Sequence, residues 1–173
     1  GVDPQQWVYL RGGADANDSW YVSERASLHD SPAIAAAWHS VREQSSISLD
    51  EIGHFDIYSC FPSAVQVSCR ALGLSPLDPR EVTVTGGLPF FGGPGNNYSL
   101  HAICEMMSKL RHSRGHGLVT ANGYYLTKHS LGLYSAEAPT EDWRILDSAP
   151  LQHALDRLPL VPVAAEYCGE ATL

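Results

Sequence analysis

The sequence predicts an α/β fold, a mixed five-stranded sheet with helices on its faces in the order β-α-β-α-β-α-β-β. Three observations predict it. Short runs of β-branched and aromatic residues alternate with segments of 3.6-residue apolar periodicity. Helix-capping residues stand at the joints between them. An Asn-Gly pair, Asn122-Gly123, signals a late hairpin, which adds an antiparallel strand to an otherwise parallel sheet.

The first strand is expected over residues 7–10 (Trp7, Val8, Tyr9, Leu10), closed by Gly12-Gly13, with a polar loop over 14–30. Ser31-Pro32 opens a helix as N-cap and first-turn proline, with Ile34, Trp38 and Val41 on its apolar face, running to about Gln44. Residues 55–60 form the second strand. A helix follows from Pro62, with Val65, Cys69 and Leu72 one turn apart and Gly73 as C-cap. A third strand is expected at Val82, Thr83, Val84 and Thr85. Asn96 or Asn97 then caps a helix whose apolar stripe is Leu100, Ile103, Met107 and Leu110 and whose last turn carries Lys109, Arg111 and His112. The fourth and fifth strands fall at 117–120 and 124–134. Pro139, Pro150, Pro159 and Pro162 punctuate the rest, so the chain divides into residues 1–136 and a tail, 137–173.

A chain of 173 residues can bury one full core, and 44% apolar against 17% charged residues is a globular balance. A net charge of −8 argues against a nucleic-acid partner, which needs clustered Lys and Arg. No stretch resembles a membrane span, so no membrane partner is expected. Cys60, Cys69, Cys104 and Cys168 have neither CxxC nor zinc spacing, which points to reduced thiols, a cytoplasmic location and no metal site.

Residues 86–98 hold five glycines and two prolines in thirteen positions, a backbone built to turn sharply. No Gly-Lys-Ser/Thr follows, and Tyr98 stands where a dinucleotide fingerprint needs its third glycine, so neither phosphate motif is present. A tight turn and a substrate-contacting loop stay equally open. Tyr58-Ser59-Cys60-Phe61 lies at the carboxyl end of the second strand, where ligands sit in open α/β sheets. A thiol there is either a structural cysteine or, if the following helix lowers its pKa, a nucleophile or an acid/base. Asn122-Gly123 reads as a hairpin turn, and Lys128-His129 as an exposed pair.

These residues resemble the C-terminal half of thiolase-superfamily proteins, in particular thiolase-like and sterol-carrier-protein-type acetyl-CoA acetyltransferases. The resemblance covers roughly residues 1–136. Tyr58-Ser59-Cys60-Phe61 matches the family's Asn-Glu-Ala-Phe motif, written His-Asp-Cys-Phe in the sterol-carrier type. Gly86-Gly87 with Gly92-Gly93-Pro94 resembles the Gly-Gly and Gly-His-Pro motif. Thr120-Ala121-Asn122-Gly123 lies where the family carries Cys-x-Gly. The tail from about Ala138 resembles the start of an additional C-terminal domain.

The resemblance implies acyl transfer on a CoA thioester in lipid or sterol metabolism, with CoA or acyl-CoA as substrate and no other cofactor. It implies catalysis by Cys60 and Tyr58, with Gly92, Gly93 and Asn122 around the acyl group. The departures imply altered chemistry: Gly93 replaces the catalytic His, Thr120 or a neighbour replaces the second Cys, and the acylated Cys belongs to an absent N-terminal half. That half is the implied partner, and an isolated C-terminal half is expected to self-associate, which keeps a homo-oligomer open. Two other readings are a non-catalytic acyl-CoA binder or scaffold and a thiolase-like aldolase with Tyr58 as proton carrier.

Overall fold

The computed structural model describes residues 1, 3–75, 77–140, 142, 144 and 146–170. The end of the expected tail, residues 171–173, lies outside them. Strands β1 (Tyr9–Asn17), β2 (Ile52–Asp56), β3 (His116–Gly123) and β4 (Lys128–Ser135) form one four-stranded sheet in the order β1-β4-β3-β2. The helices are α1 (Pro32–Ser45), α2 (Pro62–Leu72), a single turn α3 (Leu88–Phe91), α4 (Tyr98–Ser113) and α5 (Ala149–Leu155). β2 and β3 pair in parallel; β4 runs antiparallel to both neighbours, β3 and β1. The hairpin therefore fills the middle of the sheet rather than its edge.

Helix α1 forms where its caps place it. The Ser31 hydroxyl accepts from the Ile34 N–H at 3.1 Å, Pro32 opens the first turn, and Ser46 closes the helix in the left-handed region. Its face of Ala33, Ile34, Ala37, Trp38 and Val41 packs on Phe55, Ile57, Leu118, Leu131 and Leu133. Each large apolar side chain so buried contributes roughly 1.5–3 kcal/mol. Leu72 and Leu74 from the end of α2 and Leu151 and Leu155 of α5 join the same side. The opposite face of the sheet carries α4, through Tyr98, Ala102, Met106 and Leu110 against Val119. Gly117 lets α4 come this close, because a Cβ there would run into the Met106 sulfur.

Three expectations are revised. β1 does not stop at Gly12-Gly13 but continues to Asn17, because Ala14 and Ala16 pack inward while the strand hydrogen-bonds along β4. The stripe of α4 is Tyr98, Ala102, Met106 and Leu110; Leu100 is 59% exposed. Residues 82–85 form no strand, which leaves four strands where five were expected. Only the Ile57 N–H reaches the Val82 carbonyl, at 2.9 Å, while the N–H groups of Val84 and Thr85 turn to the Asp56 carboxylate. A side chain has taken the place of a neighbouring strand.

Candidate functional site at the strand ends

Asp56 ends β2 and is fully buried. Its Oδ2 accepts from the Val84 and Thr85 N–H groups at 3.1 Å and from the Thr83 hydroxyl at 2.9 Å. Its Oδ1 accepts from the Tyr98 hydroxyl at 2.9 Å. Burial, with the Asp56 charge alongside, pushes the Tyr98 phenol up to about 12, against opposing hydrogen bonds from Thr85 and Ser59. The tyrosine therefore stays protonated and keeps donating.

The same network fixes the glycine loop. The Gly86 N–H donates to Thr83 Oγ1 at 3.1 Å, the Gly87 N–H to Thr85 Oγ1 at 3.0 Å and the Leu88 N–H to Ser59 Oγ at 3.0 Å. Gly87 has φ +87°, and a Cβ there would lie 2.9 Å from Ser59 Oγ, so backbone angle and space both demand glycine. Phe91, at the end of α3, then stacks edge-on against Tyr98 at 6.2 Å.

Beyond Asp56 the chain leaves the sheet and delivers Tyr58 and Cys60. The Tyr58 N–H donates to Thr120 Oγ1 at 2.9 Å, which gives Thr120 a positioning task at the end of β2. The Tyr58 ring packs edge-on against Tyr98 at 5.4 Å. Burial, and then the neighbouring Cys60, raise the Tyr58 phenol above its ordinary value. The Asn122 amide, near the end of β3, donates through Nδ2 to Cys60 Sγ at 3.5 Å. Burial raises the Cys60 thiol despite that bond and a backbone N–H from Phe61. The helix start does not lower it, contrary to the condition the sequence suggested. Both Tyr58 and Cys60 are thus proton donors near neutrality rather than anions.

A cleft of about 370 Å³ opens at these strand ends, lined by Tyr58, Asn96, Ser99, Asn122, Ser130 and His129 among others. The structure brings Tyr58, Cys60 and Asn122 together. Gly92 and Gly93 are exposed and fall outside the cleft lining; the glycine loop reaches the cleft two residues later, at Gly95 and Asn96. The Asn122 Oδ1 is shielded from solvent and has no hydrogen-bond partner. Asn122-Gly123 ends β3, and the turn itself is Tyr124, Tyr125, Leu126 and Thr127, with Tyr124 and Leu126 in the left-handed region.

His129 departs from the exposed pair with Lys128 that the sequence suggests. Strand alternation in β4 turns Lys128 outward and His129 inward, where it is 4% exposed with Nε2 3.3 Å from the Asp18 carboxylate. The signal was available in the period-2 pattern His129, Leu131, Leu133.

No protein-family profile matches the chain, and no curated protein matches it. Among solved structures, it matches the crystal structure of a monomeric SCP2-thiolase like protein type 1 (STLP1) from Mycobacterium smegmatis with a TM-score of 0.87 and 44% sequence identity. The fold is thiolase-like. The match covers 95% of this chain and 36% of the other, so the chain spans little more than a third of that structure's length. Within the thiolase-like fold, Tyr58 and Cys60, in the segment that follows β2, are joined by hydrogen bonds to Thr120 and Asn122 of the neighbouring strand β3. No cluster able to hold a metal ion occurs among the described residues. No described helix is long and apolar enough to cross a membrane.

Proposed function

We propose that this chain is the C-terminal half of a cytoplasmic thiolase-like protein that handles CoA thioesters in lipid or sterol metabolism, with acetyl-CoA acetyltransferase-type acyl transfer as its reaction. The observation that carries the reading is the 44% identity, over 95% of the chain, to an SCP2-thiolase-like protein. The placement of Tyr58 and Asn122 in the lining of one cleft, with Cys60 held against Asn122, supports it. In this reading the thioester carbonyl lies against Tyr58 and Cys60, whose protonated side chains donate to the oxygen as negative charge develops. Asn122 orients the acyl portion. Gly92 and Gly93 contribute backbone only, since neither has a side chain to act as base. The acylated cysteine is supplied by the N-terminal half.

The test is thiolysis and Claisen condensation with acetyl-CoA by the full-length protein, with and without Cys60→Ala. Loss of activity in the variant supports the assignment; an unchanged, robust activity overturns it.

A second reading is carbon–carbon cleavage of an aldol thioester with Tyr58 as proton carrier. It is favoured by one observation: Tyr58 lines the cleft directly, whereas Cys60 touches it through Asn122. Retro-aldol turnover that survives Cys60→Ala and is lost in Tyr58→Phe selects it.

A further inference from the structure

Strand β1 is an edge of the sheet, and two glutamine side chains occupy its free side. The Gly13 N–H donates to Gln44 Oε1 at 3.1 Å, and Gln44 Nε2 donates back to the Gly13 carbonyl at 2.9 Å. Further along the strand, the Asn17 N–H donates to Gln152 Oε1 at 2.8 Å, and Gln152 Nε2 donates to the Asn17 carbonyl at 3.1 Å. A primary amide sets an acceptor beside a donor, as a residue of a neighbouring strand does. Each glutamine therefore stands where such a residue would pair. Both are fixed from their own helix. Gln44 Nε2 also donates to Ser40 Oγ, one turn back in α1, at 3.2 Å. Gln152 Nε2 also donates to Asp156 Oδ1, one turn on, at 2.8 Å.

Gly13, Asp15 and Asn17 alternate with Gly12, Ala14 and Ala16, so all three turn their backbone N–H and carbonyl away from β4. Asp15 lies between the two glutamines and is exposed, and among the described residues nothing takes its N–H or carbonyl. An open edge is a template for another strand. The register here is self-complementary. A two-fold axis at Asp15 sets Gly13 opposite Asn17 of a second copy in an antiparallel pair, and every outward N–H and carbonyl of the three residues finds a partner. The same axis sets the two Asp15 carboxylates directly opposite each other, which destabilises the pair. The edge thus carries an amide at either end and a charge in the middle. The amide at Asn17 comes from α5, whose Leu151 and Leu155 pack against the core. Part of the stretch that the sequence sets apart as a tail therefore covers the edge of the sheet.

We propose that β1 is a latent pairing edge for a second copy of this chain, held closed by Gln44, Asp15 and Gln152. Pairing requires both glutamine amides to leave and the opposed Asp15 charges to be removed. Asp15 and Asn17 also line the strand-end cleft, so a second copy seated on β1 stands at its rim. The proposal is independent of what that cleft binds.

The experiment uses the full-length protein and reads residue-resolved amide hydrogen exchange and sedimentation velocity. In wild type the Gly13 and Asn17 amides are expected to be protected and the Asp15 amide between them to exchange freely. Gln44→Ala should speed exchange at Gly13 alone, and Gln152→Ala at Asn17 alone, each about tenfold. Combining Gln44→Ala, Gln152→Ala and Asp15→Thr should add an association step that doubles the mass of the wild-type species, since Thr pairs well across strands. With Asp15→Cys in place of Asp15→Thr, mild oxidation should link two copies through position 15, located by peptide mapping. Directly opposed residues there hold their Cα atoms about 5.5 Å apart, within disulfide reach. If the Gly13 and Asn17 amides keep their wild-type rates in the glutamine variants, the guarding role is overturned. If the triple variant keeps the wild-type mass at every concentration, or the cross-link falls elsewhere, the pairing edge is overturned.

Discussion

The hydroxyl of Tyr98 donates to the carboxylate of Asp56 at 2.9 Å, and this contact joins the end of β2 to the first residue of α4. Between the two lies the whole glycine loop; Asp56 takes the N–H groups of Val84 and Thr85 just before it, and Thr83, Thr85 and Ser59 take those of Gly86, Gly87 and Leu88 at its start. The loop's first donors are satisfied by side chains and the later ones by its own carbonyls, not by a neighbouring strand.

Asp56→Ala removes four hydrogen bonds to a buried carboxylate, from the Tyr98 and Thr83 hydroxyls and the Val84 and Thr85 N–H groups. Hydrogen bonds to a charged group are worth about 1.5–3 kcal/mol each, and Thr85 Oγ1 and Thr83 Oγ1 remain as acceptors for Tyr98 and the Thr85 N–H, so the expected loss is about 3 kcal/mol or more. For a domain of this size that lowers the melting temperature by roughly 6–12 °C. Differential scanning calorimetry measures it, and an unchanged melting temperature contradicts the network.

Gly87→Ala sets a side chain at φ +87° and against Ser59 Oγ. The expected cost is about 1–3 kcal/mol. Ser59→Ala should relieve the clash but not the backbone angle, so the double variant recovers only part of the loss in urea denaturation.

Tyr98 titrates at about 12 in the folded protein against an ordinary value of 10. The neutral form is the one the fold holds. Its contribution to stability is complete below pH 10 and is lost as pH rises through about 12. Wild type should therefore lose stability over that window, and Tyr98→Phe should flatten the decline although it starts less stable. Denaturation midpoints from pH 9 to 12 check the sign.

The Cys60 thiol is exposed to reagents but held above its ordinary pKa by burial, and the Asn122 amide opposes that rise. Alkylation by iodoacetamide at pH 7.5 should be slower than for a free cysteine and should accelerate as pH rises. Asn122→Ala removes the donor to sulfur, so it should slow the reaction further at fixed pH. Peptide mapping resolves Cys60 from Cys104 and Cys168; faster labelling in the variant contradicts the Asn122–Cys60 contact.

Much of this architecture was legible because local chemistry and tertiary structure agree. Ser31-Pro32 starts α1 where capping rules place it, and Gly73 closes α2 with φ +84°. Pairing across the sheet was less legible. Ala14 and Ala16 look like loop residues until β4 lies beside them, and Thr83, Val84 and Thr85 look like a strand until Asp56 takes the Thr83 hydroxyl and the Val84 and Thr85 N–H groups. At the site, the Tyr58 and Cys60 motif could be read from its place at a strand end, and Asn122 only through resemblance. His129 and Asp18 are 111 residues apart in sequence and meet only because β1 and β4 are neighbours. No spacing rule connects them.

The central claim is that the cleft bounded by Tyr58, Asn122 and Ser130 takes a CoA thioester. Isothermal titration of the full-length protein with acetyl-CoA, wild type against Asn122→Ala, tests it most directly. A lost ligand hydrogen bond of about 1–1.5 kcal/mol predicts binding weakened roughly tenfold in the variant. Equal affinity in the two proteins, or no binding to wild type, contradicts it.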